Sequence, residues 1–512
     1  MADYTENTKR IAKNTLMLYF RMFFLMFLGL FTSRIVLEAL GENDYGIYNV
    51  VGGVVALFAV ISGSLTTAVT RFITFEIGKG VSSDISKVYS AAVIVQLLLS
   101  LLVVILAEPI GLWFIDKKMT ISPERIAAAR WVFQFSLLSF VINLLSIPQM
   151  AMITAHEKLS AYAYIGIAEG ILKLSVALLI SRSGLDRLVL YAVLMALTSV
   201  LVRCAYAVFC RRCFRECRFV FSLDGAVLRE MGSFAGWNFI GSASFVLRDQ
   251  GTNIIVNLFF GPMMNAARGV ALQLNNAVIG FVNNFMIAVN PQITKLFASG
   301  DHENMFSLAR KSARFSYYLL LILVLPILFN TEFLMGLWLK EVPAHAVIFV
   351  RLFLVFSLSE VLSNPLITMM LATGNIRNYQ LLVGGLQLMN LPISYILLRK
   401  GLEPEITVLV AIVISQVCLM ARLFMLKRMV HFPSGVFLSR VYLNVLMVTF
   451  VSLPLPLFLS ANLSQGWNAF IISASVCVMS AVLSVIFIGC TADERKRLYH
   501  MILKKIHGKN RG

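Results

Sequence analysis

Apolar runs of about twenty residues alternate with short polar breaks along the whole chain, and each run can cross roughly 30 Å of hydrocarbon as a helix. Spans are predicted near 15–36, 48–70, 88–107, 131–153, 162–181, 188–209, 236–260, 269–290, 315–335, 347–371, 380–398, 406–426, 441–460 and 467–489. That makes about fourteen transmembrane helices, and an even count puts both termini on one side. The pattern predicts an all-α polytopic membrane protein. Positions 1–14 are polar, and the run after them is too long for a signal-peptide core, so it reads as a first span.

Composition agrees. Hydrophobic residues are 59% and charged residues 14% of the 512, against nearly a quarter charged in a soluble domain. The net charge of +18 is mostly topological: 27 of the 44 Lys and Arg fall in segments on the terminus side and ten in the opposite loops. Cytoplasmic loops carry such an excess, so both termini are expected in the cytoplasm. The basic residues form no basic domain, which argues against nucleic acid. Cys210, Cys213 and Cys217 share one cytoplasmic loop without a histidine and read as reduced thiols rather than ligands, so no metal and no cofactor are expected. No sequence of the form G-x-x-x-x-G-K-[ST] occurs, so the chain carries no P-loop ATPase of its own.

The chain also repeats itself. Leu145, Ser146, Pro148, Met152, Ala155 and Tyr162 recur at Leu362, Ser363, Pro365, Met369, Ala372 and Tyr379, an offset of 217. A weaker echo at offset 220 joins Ile35, Val36, Gly41, Val50 and Gly80 to Ile255, Val256, Gly261, Val270 and Gly300. Six helices are thus repeated by six in the same sense, a parallel repeat about an axis along the membrane normal, as in many secondary transporters. The expected division is 1–230 and 231–430 for the two six-helix lobes, 431–490 for two accessory helices and 491–512 for a basic cytoplasmic tail, read as an amphipathic helix on anionic lipids. Pro148 and Pro365 are candidate bending points at equivalent places.

The whole length, the fourteen spans and the segment Leu40-Gly41-Glu42-Asn43-Asp44-Tyr45-Gly46-Ile47-Tyr48 resemble the Wzx-type polysaccharide transporters of the multidrug/oligosaccharidyl-lipid/polysaccharide exporter superfamily. The resemblance implies two six-helix lobes in a V around a central cavity, with two accessory helices. It also implies a function: flipping undecaprenyl-pyrophosphate-linked oligosaccharide, for O-antigen, capsule or a related polymer, across the bacterial inner membrane. Membrane lipids and other polysaccharide-assembly proteins are the further partners it suggests.

Ionisable groups at mid-membrane depth are costly and mark candidate sites. Arg248 and Asp249 sit mid-way along the seventh predicted helix, and steps of three and four from Asp249 reach Asn238, Ser242, Asn253 and Asn257. In the eighth, Gln273, Asn276, Asn283 and Asn290 form a second polar stripe, with Asn275 and Asn284 alongside. Arg248 offers planar donors for phosphate oxygens, and the amides offer partners for sugar hydroxyls. The competing reading is a structural pair of Arg248 with Asp249 or Glu360. Arg21 is a second phosphate candidate or a snorkelling side chain. Asp249 and Glu360, the latter without an obvious local partner, are the ion-coupling candidates, for H+ or Na+. Arg34, Arg203, Arg351 and Arg422 read as snorkelling near span ends, and Glu169 with Lys173 as an i,i+4 pair. Substrate-binding candidates are therefore Arg21, Arg248, Asn253, Asn257, Gln273, Asn276, Asn283 and Asn290, and no catalytic residue is expected. The rivals are a drug/cation antiporter of the same superfamily and a membrane enzyme of polysaccharide assembly. The enzyme would need catalytic groups on a sizeable loop or domain that the short loops do not offer.

Overall fold

The structure is a computed structural model that describes residues 2–56, 59–80, 84–117, 122–218, 220, 225–339, 342–462 and 466–496. Most of the predicted tail helix lies outside the described residues. Among those described there is no strand, and helices occupy all fourteen predicted places. We number them α1 (Asn14–Gly41), α2 (Ala59–Gly78), α3 (Ile85–Lys117), α4 (Ile126–Ala155), α5 (Leu159–Ser181), α6 (Arg187–Cys213), α7 (Gly225–Phe260), α8 (Pro262–Ala298) and α9 (His302–Phe329). The remainder are α10 (Ala346–Val361 and Asn364–Ala372), α11 (Arg377–Arg399), α12 (Ile406–Val430), α13 (Ser434–Ser460) and α14 (Trp467–Gly489).

Eleven of these are long and apolar enough to span a membrane, or twelve with the bent α10. The predicted count of about fourteen is reached only with α2 and α7. Over their described residues, both are less apolar than the other twelve. The helices expose rows of large apolar side chains, as at Leu98, Leu101 and Ile105 of α3 and Phe450 and Phe458 of α13. Water would not tolerate so extended an apolar surface, whereas lipid tails match it. The chain is a multi-pass membrane protein.

Left-handed backbone positions repeat with the sequence. Gly41 and Gly261 have φ of 75° and 76°, and Gly80 and Gly300 have 71° and 76°, both pairs at offset 220. At offset 217, Glu157 with φ 57° matches Gly374 with φ 79°. Such φ values are costly for residues with a Cβ, so their recurrence marks equivalent turns rather than shared composition. The two prolines are not equivalent in outcome. Pro148 lies inside a continuous α4, while Pro365 starts the second segment of α10 after a 41° break.

The chain forms two compact units. The first comprises 1–243, 287–301 and 374–377; the second comprises 244–286, 302–373 and 378–512. In the first, Gly170 of α5 lets Leu25 of α1 approach its backbone, and Val36, Ala39, Val176, Ala177, Ile180 and Tyr191 close a core among α1, α5 and α6. In the second, Gly251 of α7 accommodates Leu391 of α11, and Gly489 at the end of α14 lies against Tyr318 of α9.

Candidate functional site

In the second unit, α7, α8, α10, α11 and α12 enclose a cavity of about 240 Å³. Its polar lining includes Arg248, Asp249, Thr252, Arg268, Asn275 and Asn276, and its apolar lining includes Phe245, Phe353 and Phe356. Arg268 is 4% exposed and donates from Nε to Asn253 Oδ1 at 2.7 Å and from a terminal nitrogen to Asp249 Oδ1 at 3.1 Å. Arg248, also buried, lies over the rings of Phe245 and Phe356, 4.4 and 5.5 Å from their centroids. Among the described residues it makes no ion pair. The pairing of Arg248 with Asp249 or Glu360 weighed from the sequence is therefore replaced: Asp249 pairs with Arg268, and Glu360 lies 4.0 Å from Arg422.

Two further corrections follow. Glu360 does have a partner, and Arg422 does not snorkel. Arg422 is 1% exposed and donates to Ser363 Oγ at 2.8 Å, because α12 continues to Val430 and leaves it about two turns inside the helix. The buried guanidiniums of Arg248, Arg268 and Arg422 are thus accompanied by two carboxylates, Asp249 and Glu360. Neutral hydrogen bonds complete the network, with Ser357 donating to Asn275 Oδ1 at 2.7 Å and Asn390 donating to Thr252 Oγ1 at 3.2 Å.

The other candidates separate by exposure. Asn257, Gln273, Asn276 and Asn283 are exposed, and Asn253 is half-buried beneath Arg268. Asn290 is half-buried and belongs to the first unit, where Asn238 and Ser242 also meet Ser64 of α2 at 3.3 Å. Arg21 stands at a separate cavity of about 540 Å³ in the first unit, with Glu169, Lys173, Tyr48 and Tyr191. Its guanidinium lies 4.4 Å from the centre of the Tyr162 ring, and Gly166 makes room for it. The Arg21 Nε is buried without a hydrogen-bond partner among the described residues. Lys173 donates to Glu169 at 2.6 Å, the pair expected from their spacing.

No protein-family profile and no curated protein sequence matches the chain. Solved structures do. A MATE transporter in the bent conformation aligns with a TM-score of 0.71 and 14% identity over 84% of this chain and 97% of that one. An outward-facing multidrug resistance MATE family transporter of the MOP superfamily aligns at 0.70 and 14%, covering 83% and 97%. A MOP superfamily transporter from Pyrococcus furiosus, for which reversed polarity of the binding pocket suggests a different function, aligns at 0.68 and 13%, covering 83% and 96%. The fold is that of the MATE transporters.

On this MATE-like frame, the residue that sequence reasoning missed is Arg268. Starting the eighth span at 269 left it in a loop, whereas α8 begins at Pro262 and carries Arg268 into the cavity. The signal was present: Gly261, with φ 76°, ends one helix, and proline directly after it favours the first turn of the next.

Proposed function

We propose that the chain flips a lipid-linked oligosaccharide pyrophosphate, of the undecaprenyl type, from the inner to the outer leaflet of a bacterial inner membrane by alternating access, with both termini cytoplasmic. The observation that carries this reading is the guanidinium of Arg248, without an ion pair among the described residues, in a cavity where Arg248 and Arg268 outnumber the one carboxylate, Asp249, beside several amides. The net positive lining disfavours a drug cation, while a phosphate oxygen would give Arg248 a direct partner. The exposed amides Gln273, Asn276 and Asn283 suit sugar hydroxyls, which donate and accept alike. Arg21 is a second phosphate contact in the first unit. Asp249 and Glu360 remain the ion-coupling candidates, since each could exchange its arginine for H+ or Na+ during the cycle.

The second reading is a drug/cation antiporter, and it is favoured by the likeness to multidrug MATE transporters. Proteoliposomes containing the purified chain separate the two. The flippase reading expects movement of a fluorescent lipid-linked oligosaccharide and no uptake of cationic dyes driven by an ion gradient. Dye uptake without movement of the lipid would transfer the assignment to the antiporter.

A further inference from the structure

At one end of the second unit, His345 and Glu405 stand at the starts of α10 and α12 and meet, His345 Nδ1 lying 2.5 Å from Glu405 Oε1. Glu403 joins them across Pro404, and the ligand atoms of all three lie within 4.8 Å of one another. Among the described residues this is the only group of three His, Cys, Asp or Glu side chains so arranged. The side chain of Glu405 is 10% exposed, and among the described residues the imidazole is its only side-chain partner. Both His345 and Glu405 occupy helix N-cap positions, yet neither side chain caps its helix by a hydrogen bond. The usual structural employment of a carboxylate at a helix start, accepting free backbone N–H groups, is thus not what holds Glu405 in place.

We infer that His345, Glu403 and Glu405 form a binding site for a divalent transition-metal ion of the Zn2+ type. One imidazole nitrogen and two carboxylates are a hard-to-borderline set that suits Zn2+, and imidazole disfavours Ca2+ and Mg2+, which take all-oxygen shells. Zinc bonds to these atoms are about 2.0–2.2 Å, which places tetrahedral ligand atoms roughly 3.4 Å apart. Reaching that spacing means that His345 and Glu405 part from 2.5 Å while the longer separations within the group close, and Glu403, which is exposed, has room to move. Water completes the shell. A metal would replace the hydrogen bond between His345 and Glu405, balance the charge of the nearly buried carboxylate and tie together the starts of two helices. These helices carry Glu360 and Arg422 and line the cationic cavity through Phe353, Phe356, Thr407 and Val408. The ion therefore fixes the frame of that cavity without entering it, and the inference holds for a flippase or an antiporter alike.

The test uses tag-free full-length protein in lipid nanodiscs, stripped with a chelator and titrated with Co2+ and then Zn2+. The expected result is visible d–d absorption from one tightly held Co2+ per chain, displaced by Zn2+. His345→Ala and Glu405→Gln each weaken binding roughly 100-fold or more, since even outer-shell partners of a metal are worth 10- to 100-fold. Glu403→Gln alters only an exposed side chain, so it keeps the test decisive if the other variants fail to fold: it must also weaken binding at least 10-fold. Absence of Co2+ absorption from the parent protein, or unchanged affinity in Glu403→Gln, overturns the assignment and leaves a simple imidazole–carboxylate pair.

Discussion

The Asp249–Arg268 pair makes an asymmetric prediction. Asp249→Asn preserves the shape of the acceptor and its hydrogen bond but strands a guanidinium that is 4% exposed, beside the equally unpaired Arg248. Removing one partner of a fully buried pair costs about 3–5 kcal/mol. The Asp249 side chain is 31% exposed, so water offsets part of the pair's energy, and about 2–3 kcal/mol is the expected loss. Arg268→Met leaves the better-hydrated partner behind and fills the same volume with an apolar chain, so the loss should stay near 1 kcal/mol. The double variant should lose about 2 kcal/mol rather than the additive 3–4, a coupling energy of about 1–2 kcal/mol. Equilibrium unfolding of the four proteins in one detergent measures the cycle. Equal losses in the two single variants, or strict additivity, would refute the assigned pairing.

Two further predictions concern the first unit. Gly374 combines φ 79° with a position where a Cβ would fall 2.5 Å from the Arg71 guanidinium, so Gly374→Ala should cost at least 1–2 kcal/mol. Gly184, with open space around it, should accept alanine within about 0.5 kcal/mol, and the same unfolding measurement compares them. His156, at the turn after α4 and stacked on Phe214, has its pKa lowered from 6.5 chiefly by burial, against the opposing effect of its hydrogen bond to the Met152 carbonyl. The folded state then holds fewer protons than the unfolded one just below pH 6.5. Its contribution is fully present above that pH and is lost as pH falls through the folded value. A stability profile that stays flat across this window, or that His156→Phe does not flatten, would contradict the assignment.

Helix positions were readable from the chain because a span is a local property, set by length and apolarity alone. Turn chemistry was readable in part: Gly41, Gly80 and Gly300 announce the left-handed turns that the structure contains, but Glu157 at the same kind of position does not. Polar stripes were also legible, since helical periodicity puts Asn253 and Asn257 on one face of α7. Their environments were not legible. Asn253 lies under Arg268 and Asn257 is exposed, and that difference depends on which neighbouring helix arrives. The ion pairs failed for the same reason. Arg268 and Asp249 are 19 residues apart, Arg422 and Glu360 are 62 apart, and a short margin in a helix boundary moved both arginines to the wrong surroundings. His345 and Glu405 meet across 60 residues, with no spacing motif to announce them.

The central claim is that the unpaired guanidinium of Arg248 recognises a phosphate of the cargo. Initial flipping rates in proteoliposomes, for the parent chain, Arg248→Ala and Arg248→Lys at matched reconstitution, test it most directly. A hydrogen bond to a charged group contributes about 1.5–3 kcal/mol, so Arg248→Ala should lower the rate at limiting substrate roughly 10- to 100-fold. Arg248→Lys keeps the charge but loses the planar fork, so it should fall between the two. Flipping by Arg248→Ala at the parent rate would contradict the account.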